Sequence, residues 1–335
     1  MANENQIDFL AVGDIVTDAF IKLRTDQAWI ENDNPLKDKE LCMRFGEKLP
    51  YEEVIVVAAV GNSPNAAVSA HRLGLRSGLA TDMGDDKYGE EQLAALKNEG
   101  IATDYVHIHK GMESNYHYVL RYEAERTILV KHTNFPFSFP AVTPAPRFIY
   151  LSSLAENSLP YHMEIAEYLR KNPETKLVFQ PGTFQISLGR QTLKDLYKLS
   201  YIFFCNIQEA QKILETKTTD PKELLQMMHA LGPQITVLTD GPGGAYVSDG
   251  NEMWWGPMYP DPAPPVDRTG AGDAFASTFT SALALGKTID EALRWGPINS
   301  MSVVQYVGAQ KGLLTREQLE RYLAEAPADY VPKKI

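Results

Sequence analysis

The chain has 335 residues, 44% hydrophobic and 22% charged, with a formal net charge of −11; that size holds one large α/β domain or two ordinary ones. The acidic balance excludes a general nucleic-acid binder, which needs a basic face, though not a phosphorylated ligand, because anion sites are built locally from amides and a few cations. No apolar run approaches the roughly 20 residues of a membrane span, the first six residues lack the basic and apolar regions of a signal peptide, and Cys42 and Cys205 form no disulfide framework or metal-ligand spacing, so a cytoplasmic protein that does not engage membranes is expected.

Residues 7–12 read as a buried strand that ends at Gly13 and delivers Asp14 and Asp18 to its carboxyl end, the edge where ligands sit in open α/β sheets. Asp14 also reads as the cap of a polar turn; equally, a carboxylate there suits a polyhydroxy ligand, accepting from two hydroxyls at once. Residues 19–60 are less regular, with charges around Lys37, Asp38, Lys39 and Glu40 and a β-rich end at Val54, Ile55, Val56 and Val57. Gly61-Asn62-Ser63-Pro64-Asn65 then opens a small-residue helix stopped by Gly74. Asn65 is either the cap of that helix or a donor and acceptor for a sugar hydroxyl. Asp85 and Asp86 read as caps of the next helix.

Residues 105–131 alternate as β-structure, with a hairpin at Glu123-Ala124-Glu125-Arg126. His107 and His109 share one strand face and, with His117, raise a metal site, but no Cys or carboxylate at ligand spacing completes it. Strands at 147–152, 176–182 and 201–205 carry apolar runs and alternate with helical stretches, the sign of a parallel sheet covered on both faces. No linker interrupts them, so one main domain is expected. Asn206 and Glu209 start a helix and have the spacing of a capping box. Residues 235–246 are a strand, a glycine-rich turn carrying Thr239, Gly241 and Gly243, and a second strand. Gly286-Lys287-Thr288 looks like the end of a P-loop, but Ser281 stands where its first glycine belongs and the segment follows a helix; the motif is rejected.

The chain is organised around Asp267-Arg268-Thr269-Gly270-Ala271-Gly272-Asp273, which follows a proline-rich segment and runs into an apolar helix. A glycine turn opening a helix presents free N–H groups and the positive end of the dipole to an anion. An aspartate in that first turn is either a dipole-stabilised cap or a general base whose substrate is attacked under those amides.

This stretch resembles the C-terminal signature of the ribokinase-type (PfkB) sugar kinases. The order of the other segments, over about residues 7–312, follows the same family. The match is weaker at the N-terminal signature, where Val60 replaces the first glycine. The resemblance implies a three-layer, doubly wound, mainly parallel α/β sheet as a single domain over 1–335, with a small β-sheet lid from about 19–58 and 105–132. It implies a kinase that moves the γ-phosphoryl group of ATP to a hydroxyl of a sugar or sugar derivative. Asp273 would be the base and Gly270, Ala271 and Gly272 the anion hole. Asp18, Asp14, Gly61 and Asn65 would bind the sugar, and Asn206, Glu209, Thr239, Gly241, Gly243 and Asn299 the nucleotide. Glu209 would hold Mg²⁺ through water, and Asp267 and Thr269 a K⁺ ion. A nucleoside kinase, with Tyr105, Tyr116, Tyr118 and Tyr122 stacking on a base, and a non-catalytic sugar or nucleotide sensor are the alternatives. The lid's exposed sheet edges favour a homodimer.

Overall fold

The computed structural model describes residues 6–31, 39–123 and 125–335. Lys37 and Asp38 of the early charge cluster, and Ala124 of the hairpin, lie outside them. Among the described residues, ten strands form the central sheet. From Val106–His109 at one edge the order runs through Ser77–Gly84, Phe9–Val12, Phe148–Leu151, Lys176–Phe179 and Ser200–Asn206 to Ile235–Thr239, all parallel. Ala245–Ser248, Met253–Gly256 and Lys333–Lys334 extend the far edge antiparallel.

The apolar strands are buried on both faces because successive side chains alternate between two cores. Phe9 and Ala11 join the core under helices Asn62–Arg72, Ala271–Ala284 and Ile289–Val303, whereas Leu10 and Val12 join the one under Leu159–Lys171, Ile207–Leu214 and Pro221–His229. Three layers result. Phe9–Val12 has Ser77–Gly84 on one side and Phe148–Leu151 on the other, so the sheet winds in opposite directions from it. The carboxyl ends of these strands open a crevice at that reversal.

A second sheet of four strands stands apart, in the order Tyr51–Val60, Val16–Leu23, Tyr116–Tyr122, Glu125–Leu129. It is the lid, and Glu123, with φ 54°, makes its hairpin turn. The expected second lid segment began too early. Val106–His109 pairs with Ser77–Gly84 in the central sheet, where His109 Nε2 lies 2.7 Å and His107 Nδ1 3.6 Å from the buried Asp82 Oδ1. That carboxylate accounts for the histidine pair without a metal.

Candidate active site

Helix Ala271–Ala284 carries the centre of the site. Its N-cap is Gly270 at φ 81°, and no side chain caps it; the first ladder bond runs from the Ala274 amide to the Gly270 carbonyl at 2.8 Å. The N–H groups of the first turn are therefore left to face whatever enters the crevice. The two glycines serve different ends. A Cβ on Gly270 would sit 2.3 Å from that of Ala309, whereas a Cβ on Gly272 would meet only Gln180 Nε2, at 3.9 Å. Gly270 is required by the fold, and Gly272 keeps a space clear.

Asp273 is buried, and three side-chain amides hold it. Asn62 Nδ2 donates to Oδ1 at 2.7 Å, Gln180 Nε2 to the same oxygen at 3.4 Å, and Asn65 Nδ2 to Oδ2 at 2.9 Å. Two of these amides are turned by a further partner: Tyr150 donates to Gln180 Oε1, and Gln310 Nε2 donates to Asn65 Oδ1 at 3.1 Å. Burial pushes the Asp273 carboxyl above its ordinary range; the bonds from Asn65, Asn62 and Gln180 and the charge of Arg126 pull the other way. Asn65 is thus inside its helix, not capping it, and in this arrangement it positions Asp273. The amide of Asn62 and the residues Gln180 and Arg126 had no motif to announce them.

Two cavities meet at this turn. The larger, about 590 Å³, is lined by Asp14, Asp18, Gly61, Asn65, Asn206, Glu209, Gly270 and Asp273. The smaller, about 170 Å³, is lined by Gly241, Pro242, Gly244, Ala271, Pro297, Ser300 and Met301. Thr239, Arg268, Gly272 and Phe275 line both. The small, mostly apolar cavity and the larger, more mixed one adjoin at Gly272.

Asn206 and Glu209 make a reciprocal capping box, the Glu209 amide donating to Asn206 Oδ1 at 2.8 Å and the Asn206 amide to Glu209 Oε2 at 2.9 Å. Both also line the large cavity, so the cap and the ligand reading coexist. Burial raises the Glu209 carboxyl, against the Asn206 amide and the Lys212 charge. Asp267 is buried; its Oδ1 accepts from the Thr269 amide at 2.9 Å and hydroxyl at 2.7 Å, and Oδ2 from the Gly308 amide at 3.1 Å. It shapes the loop that leads to Gly270.

Two expectations need correcting. Asn299 lines neither cavity: it is fully buried, donating to Thr278 Oγ1 at 2.7 Å and accepting from the Leu314 amide at 2.9 Å. One residue is about 100° of helix, and Ser300 is the one that lines the small cavity. Gly243 lines neither cavity, and its carbonyl accepts from Trp255 Nε1 at 2.8 Å. The lid tyrosines Tyr116, Tyr118 and Tyr122, and Tyr105 ahead of the edge strand of the central sheet, line neither cavity.

The profile of the pfkB family carbohydrate kinases matches residues 32–316. The chain belongs to that family. As a pfkB family carbohydrate kinase it is a phosphotransferase with a hydroxyl as acceptor. Ribokinase of Bacillus subtilis (strain 168) is 30% identical over 275 residues, 79% of this chain and 87% of its own length. Fructoselysine 6-kinase of Escherichia coli (strain K12) is 24% identical over 260 residues, 77% of this chain and 94% of its own. Among solved structures, Arabidopsis thaliana ribokinase complexed with ribose and ATP superposes with a TM-score of 0.75 at 17% identity, covering 95% of this chain and 99% of that one. These likenesses give the ribokinase-like fold. No helix among the described residues is long and apolar enough to cross a membrane.

Proposed function

We propose that this chain transfers the γ-phosphoryl group of ATP to a hydroxyl of a small sugar or sugar derivative, with Asp273 as general base. The observation that carries the reading is the buried Asp273 beside an uncapped helix N-terminus, at the junction of two cavities. The sugar occupies the larger cavity, over Asp14 and Asp18. The nucleotide base occupies the small cavity between Gly241, Pro242 and Pro297, and the phosphates run past Thr239 and Arg268 to Gly272.

The acceptor hydroxyl gives its proton to Asp273 as its oxygen bonds to the γ-phosphorus, and the bond to the β-phosphate oxygen breaks to release ADP. Burial makes Asp273 a stronger base than an exposed carboxylate. The amides of Gly270, Ala271 and Gly272 meet the charge that develops on the transferred group. Arg126 and Arg268 border the cavity from the lid and from the loop and supply positive charge there.

Glu209 suits Mg²⁺: it is one carboxylate beside a polar cavity, and that ion takes few protein ligands and keeps its waters and phosphates. Bound there, the ion would offset phosphate charge. Asp267 and the Thr269 carbonyl would hold K⁺; Asp267 Oδ2, which accepts the Gly308 amide, keeps a lone pair for it, and the ion would add positive charge to the loop that leads to the anion hole. The chain is expected to work in the cytoplasm. The test is ADP release with Mg-ATP over pentoses, hexoses, sugar acids, sugar phosphates and nucleosides, with and without K⁺. Turnover of a sugar is expected; ligand binding without turnover of any compound would instead indicate a sensor.

A further inference from the structure

Two carboxylate–imidazole pairs stand in the large cavity. His117 is the cross-strand neighbour of Asp18, and its Nδ1 lies 3.5 Å from Asp18 Oδ1. His132 Nδ1 lies 3.2 Å from Asp14 Oδ2. The two rings meet edge to face with centroids 5.2 Å apart, and Phe184 packs on His132 at 5.7 Å. All line the cavity. Yet Asp14 Oδ2, Asp18 Oδ1, His117 Nε2 and His132 Nδ1 are buried and make no aligned hydrogen bond to any described residue.

Buried polar atoms in folded proteins nearly always have partners, and each one left without costs stability. Asp14 Oδ2 and His132 Nδ1 face each other at 3.2 Å, and with Asp18 Oδ1 and His117 Nε2 they leave polar capacity on one side of the cavity for a ligand to fill. The ligand is not a metal, because no group of three or more His, Cys, Asp or Glu among the described residues is arranged to hold one. A hydroxyl fits each pair, since it donates to the carboxylate and accepts from the imidazole N–H at once. The two rings touch and line the same cavity, so a single polyhydroxy ligand can meet both pairs at once. A carboxylate or phosphate set against these pairs would face two aspartates, while Arg126 and Arg268, which border the same cavity, are taken up by the transferred phosphoryl group in the kinase reading; an aromatic base would leave the carboxylates unmet.

We propose that His132 with Asp14, and His117 with Asp18, read two hydroxyls, so that the acceptor is an uncharged sugar or polyol with a diol away from the phosphorylated oxygen. The assignment rests on the kinase reading above and names its substrate class.

The experiment is a cycle between substrate and protein. Initial rates are measured on ribose, 2-deoxyribose, glucose, its 2- and 3-deoxy forms and straight-chain polyols, for the wild type, His117→Ala and His132→Ala, with thermal melting as the check of folding. On the best substrate each variant is expected to lose about 10- to 100-fold in kcat/KM, mostly through KM. On the deoxy analogue lacking the oxygen that the removed imidazole reads, the variant should lose nothing further. An equal loss on every analogue would mark a structural role and overturn the assignment, as would a wild type indifferent to each diol oxygen. Should an alanine variant fail to fold, His117→Asn and His132→Gln, which keep a polar tip, carry the same comparison. If the wild type turns over no sugar at all, the kinase reading fails and this one falls with it, a result plainly different from turnover without discrimination.

Discussion

At the scale of single residues, Asp273 does its work through its surroundings. Burial raises its carboxyl while Asn65, Asn62 and Gln180 restrain the rise. The base must be ionised to accept a proton, so kcat/KM should climb with pH through a value above the ordinary carboxylate range and level off beyond it. Removing the largest restraint, in Asn65→Ala, should move that limb to higher pH; a limb that stays in place would dissociate the amides from the base. The glycines permit a sharper contrast. Gly270→Ala forces a Cβ into Ala309 at a φ of 81° and should cost about 1–3 kcal/mol of stability, read in urea melts. Gly272→Ala meets no close neighbour, so it should fold as well as the parent and yet lose about tenfold or more in kcat, because the methyl enters the phosphoryl path. Equal stability losses in the two variants would contradict the division of labour between them.

At the scale of elements, the helix beginning at Ile207 joins a cap to a ligand site. Glu209→Gln keeps an acceptor for the Asn206 amide and removes the charge. It should melt within about 1 kcal/mol of the parent while needing more Mg²⁺ for half-maximal rate; an unchanged Mg²⁺ requirement would leave Glu209 as a cap alone. Contiguity decides what was legible in the chain. Asp273 and its glycines announce themselves because turn, helix start and carboxylate are neighbours in sequence. The amide donors were not legible: Asn62 is 211 positions and Gln180 93 positions from the oxygen they share, and only the winding of the sheet brings them together. The pairing of His117 with Asp18 and of His132 with Asp14 escaped for the same reason, the aspartates lying on other segments; His117 stood out only as a metal candidate. Asn299 was misjudged because sequence locates a helix better than its rotation, and one residue's turn exchanges the core for the cavity.

At the scale of the molecule, the fold was legible because apolar strands alternate with helices throughout, whereas the lid boundary was not. Val106–His109 has the same β pattern as the lid strands, and only pairing tells which sheet it joins. The lid leaves Tyr51, Val54 and Val56 of its edge strand exposed, and an apolar unpaired edge invites pairing with a second copy. We propose a homodimer through this edge. Sedimentation should find dimers of the parent and monomers of Val56→Lys; a parent that sediments as a monomer at micromolar concentration would refute it.

The central claim is that Asp273 is the base, and it is tested most directly by single-turnover phosphoryl transfer from Mg-ATP to the best sugar in the wild type and in Asp273→Asn, with nucleotide binding measured in parallel. The account expects the variant to bind ATP about as well as the parent and to transfer phosphate slower by about 10²- to 10⁴-fold. Transfer at the parental rate, in a variant shown to be folded and loaded with nucleotide, would contradict it.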